Sequence, residues 1–282
     1  MAKTLYIESM IRFLFAIIFL FLLENTVCAQ QKFFRVYSEH NDDRAEGIVQ
    51  LPDSSYTLCG SSSSFSGEGS QAFIVNIDSI GNVRWSASFG GNESEQARRL
   101  VHVTGFGYFV AGMTNSIGEG AFDGYVAALD ETGVLQWEST VGGVGWDRIY
   151  DASRTSQDDI IVVGEQGGSN DQADVMLARV DQSGNVLWEY QDPQPGNDWL
   201  ETITSFQDSL FFAFGSVYVS DSLNHKVLVV HGHEDGTIYW KDTLGVAGDH
   251  WVHDVMVDSN DEVVAVGEVS GCLLYTSDAA DD

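Results

Sequence analysis

Four carboxylates keep a beat along this chain. Asp43, Glu95, Asp147 and Asp198 follow one another at intervals of 52, 52 and 51 residues, and His250 takes the same slot 52 residues later. If equal units carry these residues around an axis, the acids form a ring, and a ring of carboxylates suits a hard cation such as Ca²⁺, which takes oxygen ligands. Asp43, Glu95, Asp147 and Asp198 are therefore the candidate metal residues. The competing expectation is that each carboxylate accepts backbone N–H groups and shapes its own loop. No unit contains the dense D-x-D-x-D-G loop that marks a dedicated calcium site. Trp146, Trp199 and Trp251 stand beside three of the slots. An indole next to an acid on a concave face suits a sugar: the ring stacks on the apolar face of a pyranose and the carboxylate accepts from hydroxyls. Trp146, Asp147, Asp198, Trp199, His250 and Trp251 form the candidate ligand set, for a glycan or a protein.

Histidine offers a second chemistry. His225, His231, His233, His250 and His253 crowd into the last third of the chain, and His-Gly-His puts His231 and His233 on one face of a strand, the spacing of a metal pair. The expected topology places that pair at the opposite end of its sheet from His250, so no shared zinc site is expected. There is no G-x-S-x-G elbow, no H-E-x-x-H and no glycine-rich phosphate loop leading into a helix.

The elements that position these residues follow from two further markers. Trp85, Trp137, Trp188 and Trp240 are spaced 52, 51 and 52 apart, and Phe33 lies 52 before the first. Gly60, Gly112, Gly164, Gly215 and Gly267 each close an apolar run, at intervals of 52, 52, 51 and 52. Within one unit, 143–193, four short apolar or alternating stretches are separated by "SQDD", "GGSNDQ" and "DQSG", which are turn signals between strands. Four short antiparallel strands repeated about every fifty residues predict an all-β fold, a β-propeller of four-stranded blades. Four complete blades and part of a fifth are counted, so the propeller is expected to be truncated. The motif Asp-x-x-Gly before each Trp predicts a type I turn followed by a left-handed glycine, joining the third strand to the fourth. The Trp then falls on the outermost strand, where it is expected to fill the wedge between blades, at roughly 3–5 kcal/mol per truncation. The glycine markers are expected where the second strand leaves the crowded interior. "KFFRVYSE" (32–39) aligns with the strand after each Trp and is expected to be an outer strand. The Ser-, Gly- and Asn-rich stretches 61–71, 113–124 and 216–226 are expected to be top-face loops.

The pattern G-N-x-x-W, then Phe/Val-Gly-Gly, then an acid, resembles the repeat of secreted bacterial β-propeller proteins over about residues 33–271. The resemblance implies an extracytoplasmic propeller with no established catalytic residues. A looser similarity is to quinoprotein propellers, whose tryptophan motif also holds Asp, Gly and Trp but has a turn one residue longer than Asp130–Gly133.

Charge and termini bound the rest. With 42 acidic against 13 basic residues among 282, the formal charge is −29. Such a surface repels phosphate backbones and anionic headgroups, so nucleic-acid binding is not expected. Residues 1–29 read as a signal peptide, with Arg12, an apolar run Phe13–Leu23 and small residues Val27 and Ala29 before Gln30. No membrane span is expected after its removal, and the mature protein is expected to be secreted or at the cell surface. Residues 30–271 form the partial propeller. "CLLYTSDAADD" (272–282) breaks the repeat and reads as one frame of sequencing-adapter DNA. Of the three cysteines, Cys28 leaves with the signal and Cys272 with that tail; Cys59 is expected to be a small core residue. The function expected is a non-catalytic binding or scaffold module, the alternative being a propeller hydrolase, lyase or quinoprotein-like enzyme whose site lies partly in further blades.

Overall fold

The computed structural model describes residues 33–37, 42–64, 69–168, 172–193, 195–207, 209–219, 224–245 and 248–270. The signal-peptide and adapter readings, with Cys28 and Cys272, lie outside them. Every regular element among the described residues is a strand. The first sheet is β1 (Asp43–Gln50), β2 (Tyr56–Ser62), β3 (Gln71–Ile77) and β4 (Val83–Phe89). The second is β5 (Glu95–Val103), β6 (Gly107–Thr114), β7 (Asp123–Leu129) and β8 (Leu135–Val141). The third is β9 (Arg148–Arg154), β10 (Ile160–Gly167), β11 (Ala173–Val180) and β12 (Val186–Asp192). The fourth is β13 (Trp199–Phe206), β14 (Leu210–Val219), β15 (Asn224–His233) and β16 (Ile238–Leu244), followed by a two-stranded sheet, β17 (Asp249–Val257) and β18 (Val263–Ser270). Each sheet is an antiparallel meander in chain order. The first strands of successive sheets lie against one another, β1 on β5, β5 on β9, β9 on β13 and β13 on β17, whereas the fourth strands make no comparable contact. That is the arrangement of propeller-like blades: inner strands close together, outer strands fanned apart. Among the described residues no helix is long and apolar enough to cross a membrane.

The core is four interfaces, not one centre. Side chains alternate across a strand, so the uninterrupted apolar run of β6 serves two neighbours. Tyr108 and Val110 pack toward the first blade with Cys59, Ile74 and Phe89, while Phe109 and Ala111 pack toward the third with Ile149, Ile160 and Val162. β10 divides in the same way, Val162 facing back and Ile161 and Val163 facing the fourth blade with Leu200 and Phe211. Cys59 is fully buried and free, and burial pushes its thiol up to about 12, which keeps it inert. Asp151 stitches three blades near the axis. Its Oδ1 pairs with Arg99 Nε of the second blade at 2.8 Å, and its Oδ2 accepts from Thr202 Oγ1 and Ile203 N of the fourth at 2.8 and 3.0 Å.

The Asp-x-x-Gly turns form as expected. Asp78 Oδ1 accepts from the N–H groups of Ile80 and Asn82, and Asp130 and Asp181 repeat the pattern with Thr132 and Val134 and with Ser183 and Asn185. Gly81, Gly133 and Gly184 have φ of 85°, 82° and 84°, where a Cβ would be strained. The tryptophans pack in the interfaces between neighbouring blades, as expected, Trp85 meeting Tyr108 of the second blade at 5.9 Å and Trp137 and Trp188 lying against the next two interfaces, and they take on a second task. Each lies on the turn of the following blade: a Cβ on Gly133 would sit 2.5 Å from the Trp85 ring, one on Gly184 3.0 Å from Trp137, and one on Gly236 3.0 Å from Trp188. The Nε1 atoms of Trp137 and Trp188 donate to Gln182 O and Glu234 O in those turns, both at 2.9 Å. The indoles are therefore half-buried, filling the rim of each interface and latching the next turn at once; Trp240 is 46% exposed. Phe33 does not continue the series. It lies in irregular chain, as do residues 33–37 throughout, so no outer strand forms there among the described residues. Tyr37 reaches the first turn, donating its hydroxyl to Gly81 O at 2.7 Å. The stretch 216–226 is also less of a loop than expected, since β14 runs to Val219 and β15 starts at Asn224.

Candidate functional site along the inner strands

The glycine markers prove to be the key to the site. They lie inside the second strands, opposite a β-bulge in the first. Ala45 pairs with Gly60 and Gly47 with Cys59, leaving Glu46 without a partner position. The same break leaves out Arg98 in β5, Tyr150 in β9, Glu201 in β13 and His253 in β17. The bulge drives a carbonyl onto the glycine opposite. A Cβ on Gly60, Gly112, Gly164, Gly215 or Gly267 would stand 1.8–1.9 Å from the oxygen of Arg44, Gln96, Arg148, Trp199 or Trp251 respectively. Only glycine fits.

A bulge re-aims one side chain out of the sheet's alternation. Here it does so at one equivalent position in five successive units, and the residues differ: Glu46, Arg98, Tyr150, Glu201, His253. The position just before each is always apolar, Ala45, Ala97, Ile149, Leu200 and Val252. The bulge residues themselves vary among acid, base, phenol and imidazole. They also meet one another. The Arg98 guanidinium lies over the Tyr150 ring, 5.0 Å from its centroid. Burial pushes the Glu201 carboxyl up, and Trp199 Nε1, Arg98 and His253 act in the opposite sense on the same group. The Tyr150 hydroxyl is pushed up as well, by burial and by Glu165, with Arg148 opposing. A cavity of about 200 Å³ opens between the fourth and fifth sheets, lined by Trp199, Glu201, Ser216, Trp251, His253 and Glu268 among others. Ser216 is 1% exposed and its Oγ has no hydrogen-bond partner. His225 lies between the two indoles, 5.5 Å from the Trp199 ring and 6.3 Å from that of Trp251.

The candidate residues named from sequence divide. Trp199 and Trp251 share this cavity. Trp146 does not join them: it is 51% exposed, tilted on Phe122 at 5.0 Å and covered by Arg148 at 5.2 Å. The acids beside the indoles point elsewhere, because neighbouring residues in a strand face opposite ways. Asp147 accepts from Gly143 N at 2.5 Å and Gly167 N at 2.9 Å. Glu95 accepts from Thr114 Oγ1 and Gly91 N, at 2.8 and 3.0 Å. Asp43 accepts from Ser62 and Ser64. Asp198 Oδ1 accepts from Tyr218 N at 2.7 Å, while its Oδ2 is buried without a partner beside a separate cavity of about 230 Å³ lined by Asp192, Lys241 and Thr243. His250, 7% exposed, packs its ring on Gly245. The carboxylates are thus loop anchors, each within its own blade, and are not gathered around a common point. Among the described residues no three His, Cys, Asp or Glu side chains come together as metal ligands. The His-Gly-His pair is likewise divided: His231 stacks on Phe212 at 4.3 Å, whereas His233 Nδ1 accepts from Asp235 N, taking over the work of the turn aspartate.

The bulge residues were missed from sequence, although the signal was present. Counting 14 residues back from each marker glycine reaches Glu46, Arg98, Tyr150, Glu201 and His253, a repeat position at which the residue type does not repeat.

No protein-family model and no curated protein matches the chain. Among solved structures it is similar to a protein of unknown function from Bacteroides caccae, at 10% identity and a TM-score of 0.46, over 74% of this chain and 70% of that one. It is also similar to the tail fiber of Staphylococcus aureus phage P68, at 8% identity and a TM-score of 0.25, over 70% of this chain and 48% of that one. Neither likeness is close enough to carry an argument about function.

Proposed function

We propose that the chain is an exported, non-catalytic binding module that takes a glycan along the inner strands, in and beside the cavity between Trp199 and Trp251. The observation that carries the reading is the bulge series: one position per blade is released from packing, and it holds Glu46, Arg98, Tyr150, Glu201 and His253. A bulge residue has no ladder partner, so its type is free to differ from blade to blade, which suits a ligand that lacks the blades' symmetry. The two indoles supply stacking faces, and Glu201, Ser216 and Glu268 supply acceptors for hydroxyls. The N-terminal segment read as a signal supports export. No metal is assigned a role in this binding.

The test is a glycan array followed by calorimetry on the purified protein. Binding of an oligosaccharide that weakens at least about tenfold in Trp199→Ala is expected, as for loss of one buried aromatic contact. Absence of binding across the array, or affinity unchanged in Trp199→Ala, overturns the reading. One observation favours the enzymatic alternative, the burial-raised carboxyl of Glu201 near His253. Shortened products after incubation with a bound oligosaccharide, absent with Glu201→Gln, decide for that alternative.

A further inference from the structure

Arg98 stands apart from the other arginines of the blades. Arg44, Arg84, Arg99, Arg148, Arg154 and Arg179 each pair with a carboxylate. Among the described residues no carboxylate stands within ion-pair distance of Arg98, and its Nε is buried without a hydrogen bond. This happens in a chain with 42 carboxylate side chains against 13 cations, where a partner is easily found. The guanidinium is nevertheless fixed, resting on the Tyr150 ring at 5.0 Å, a geometry that leaves its in-plane N–H groups free to donate. Tyr150 in turn sits beside Arg148 and Glu165, themselves joined at 2.7 Å. The Nε is closed off from solvent, as is that of Arg148, so a ligand meets the Nη groups; a guanidinium fixed in plane with no carboxylate paired to it suits a planar oxyanion there.

We infer that Arg98, held on Tyr150, receives the anionic group of an acidic sugar, a uronate carboxylate or a sulfate ester, whose neighbouring rings lie on the Trp199 and Trp251 side of the arc. The inference rests on the glycan reading above and narrows its ligand class. Two parallel N–H···O bonds from one guanidinium suit either oxyanion. The acidity of the rest of the chain repels polyanions in general, so recognition depends on this one group and not on bulk charge. Toward the anionic group Tyr150 acts as a positioning residue: it fixes the plane of the guanidinium.

Calorimetry with three probes tests this: a short oligogalacturonate, the same oligosaccharide with its carboxylates reduced to alcohols, and a sulfated galacto-oligosaccharide of the same length. The wild-type protein is expected to prefer a charged probe over the neutral one by about tenfold to a hundredfold, the range for a hydrogen bond to a charged group. Preference for the first or for the third probe identifies the source of the anion. Arg98→Gln is expected to abolish the preference, bringing charged- and neutral-probe affinities level, and Arg98→Lys to restore part of it. Tyr150→Leu is expected to lower the preference of charged over neutral probe, with thermal melts confirming that each variant is folded. Equal binding of charged and neutral probes by the wild type, or a preference that survives in Arg98→Gln, overturns the inference and leaves the glycan reading standing. Binding of none of the three overturns this inference, and the array result then judges the broader reading separately.

Discussion

Replacing Asp198 by asparagine should stabilise the protein at neutral pH more than at acid pH, relative to wild type. Asp198 is fully buried. Its Oδ1 accepts from Tyr218 N, its Oδ2 accepts from nothing, and burial, with Asp174 and Asp192 nearby, pushes its carboxyl up to about 6. An unfolded aspartate titrates at about 3.9, so the folded state opposes ionisation by ~3 kcal/mol at most. The adjoining cavity admits solvent, and screening reduces this to about 1–2 kcal/mol. The direction follows from the raised value. Below about pH 4 the group is protonated in both states and costs nothing; the cost accumulates as pH rises toward 6 and is complete above it. Asparagine stays neutral throughout and keeps an acceptor for Tyr218 N–H. Whatever constant offset the amide introduces, the difference between variant and wild type should shift by about 1–2 kcal/mol in favour of Asp198→Asn between about pH 4 and pH 7.5. Paired denaturant melts across that range measure it, and the general relief of acidic repulsion at low pH cancels between the two proteins. A difference that is flat with pH, or that favours the variant at the acid end, refutes the account of Asp198 as an orphaned buried carboxylate.

Two structural devices yield further predictions. Gly164→Ala places a Cβ 1.8 Å from Arg148 O; the bulge must open or the sheet must part, and a loss of about 3 kcal/mol or more in unfolding free energy is expected from chemical denaturation. Trp188→Phe keeps an aromatic face on Gly236 but removes the N–H donated to Glu234 O; it should cost about 1 kcal/mol in the same melts, with Trp188→Ala costing clearly more.

Much of the architecture was legible because packing imposes it identically on every unit. The turn aspartate, the left-handed glycine and the latch tryptophan each solve one geometric problem, and equal problems select equal residues. That logic also placed the blades in order and put Cys59 in the core. It could not say which way a side chain points. Asp198 and Trp199 are adjacent in sequence and so were read as one site, yet strand alternation sends them to different cavities. Trp199 and Glu201, two residues apart, share one surface by the same alternation and line one cavity. Phe33 misled in another way: spacing matched, but it lies in irregular chain, and Tyr37 reaches the first turn. The functional candidates hid because recurrence is the signal a repeat offers first, whereas Arg98 and His253 are informative for failing to recur.

The latches also give the chain a direction. The indole of one unit holds down the hairpin of the next, never its own: Trp85 on Gly133, Trp137 on Gly184, Trp188 on Gly236. Damage to a hairpin is therefore repaired upstream. A residue that crowds position 184 finds its natural suppressor at 137, in the preceding unit, and paired changes across descendants of this sequence should link neighbouring units in that one sense.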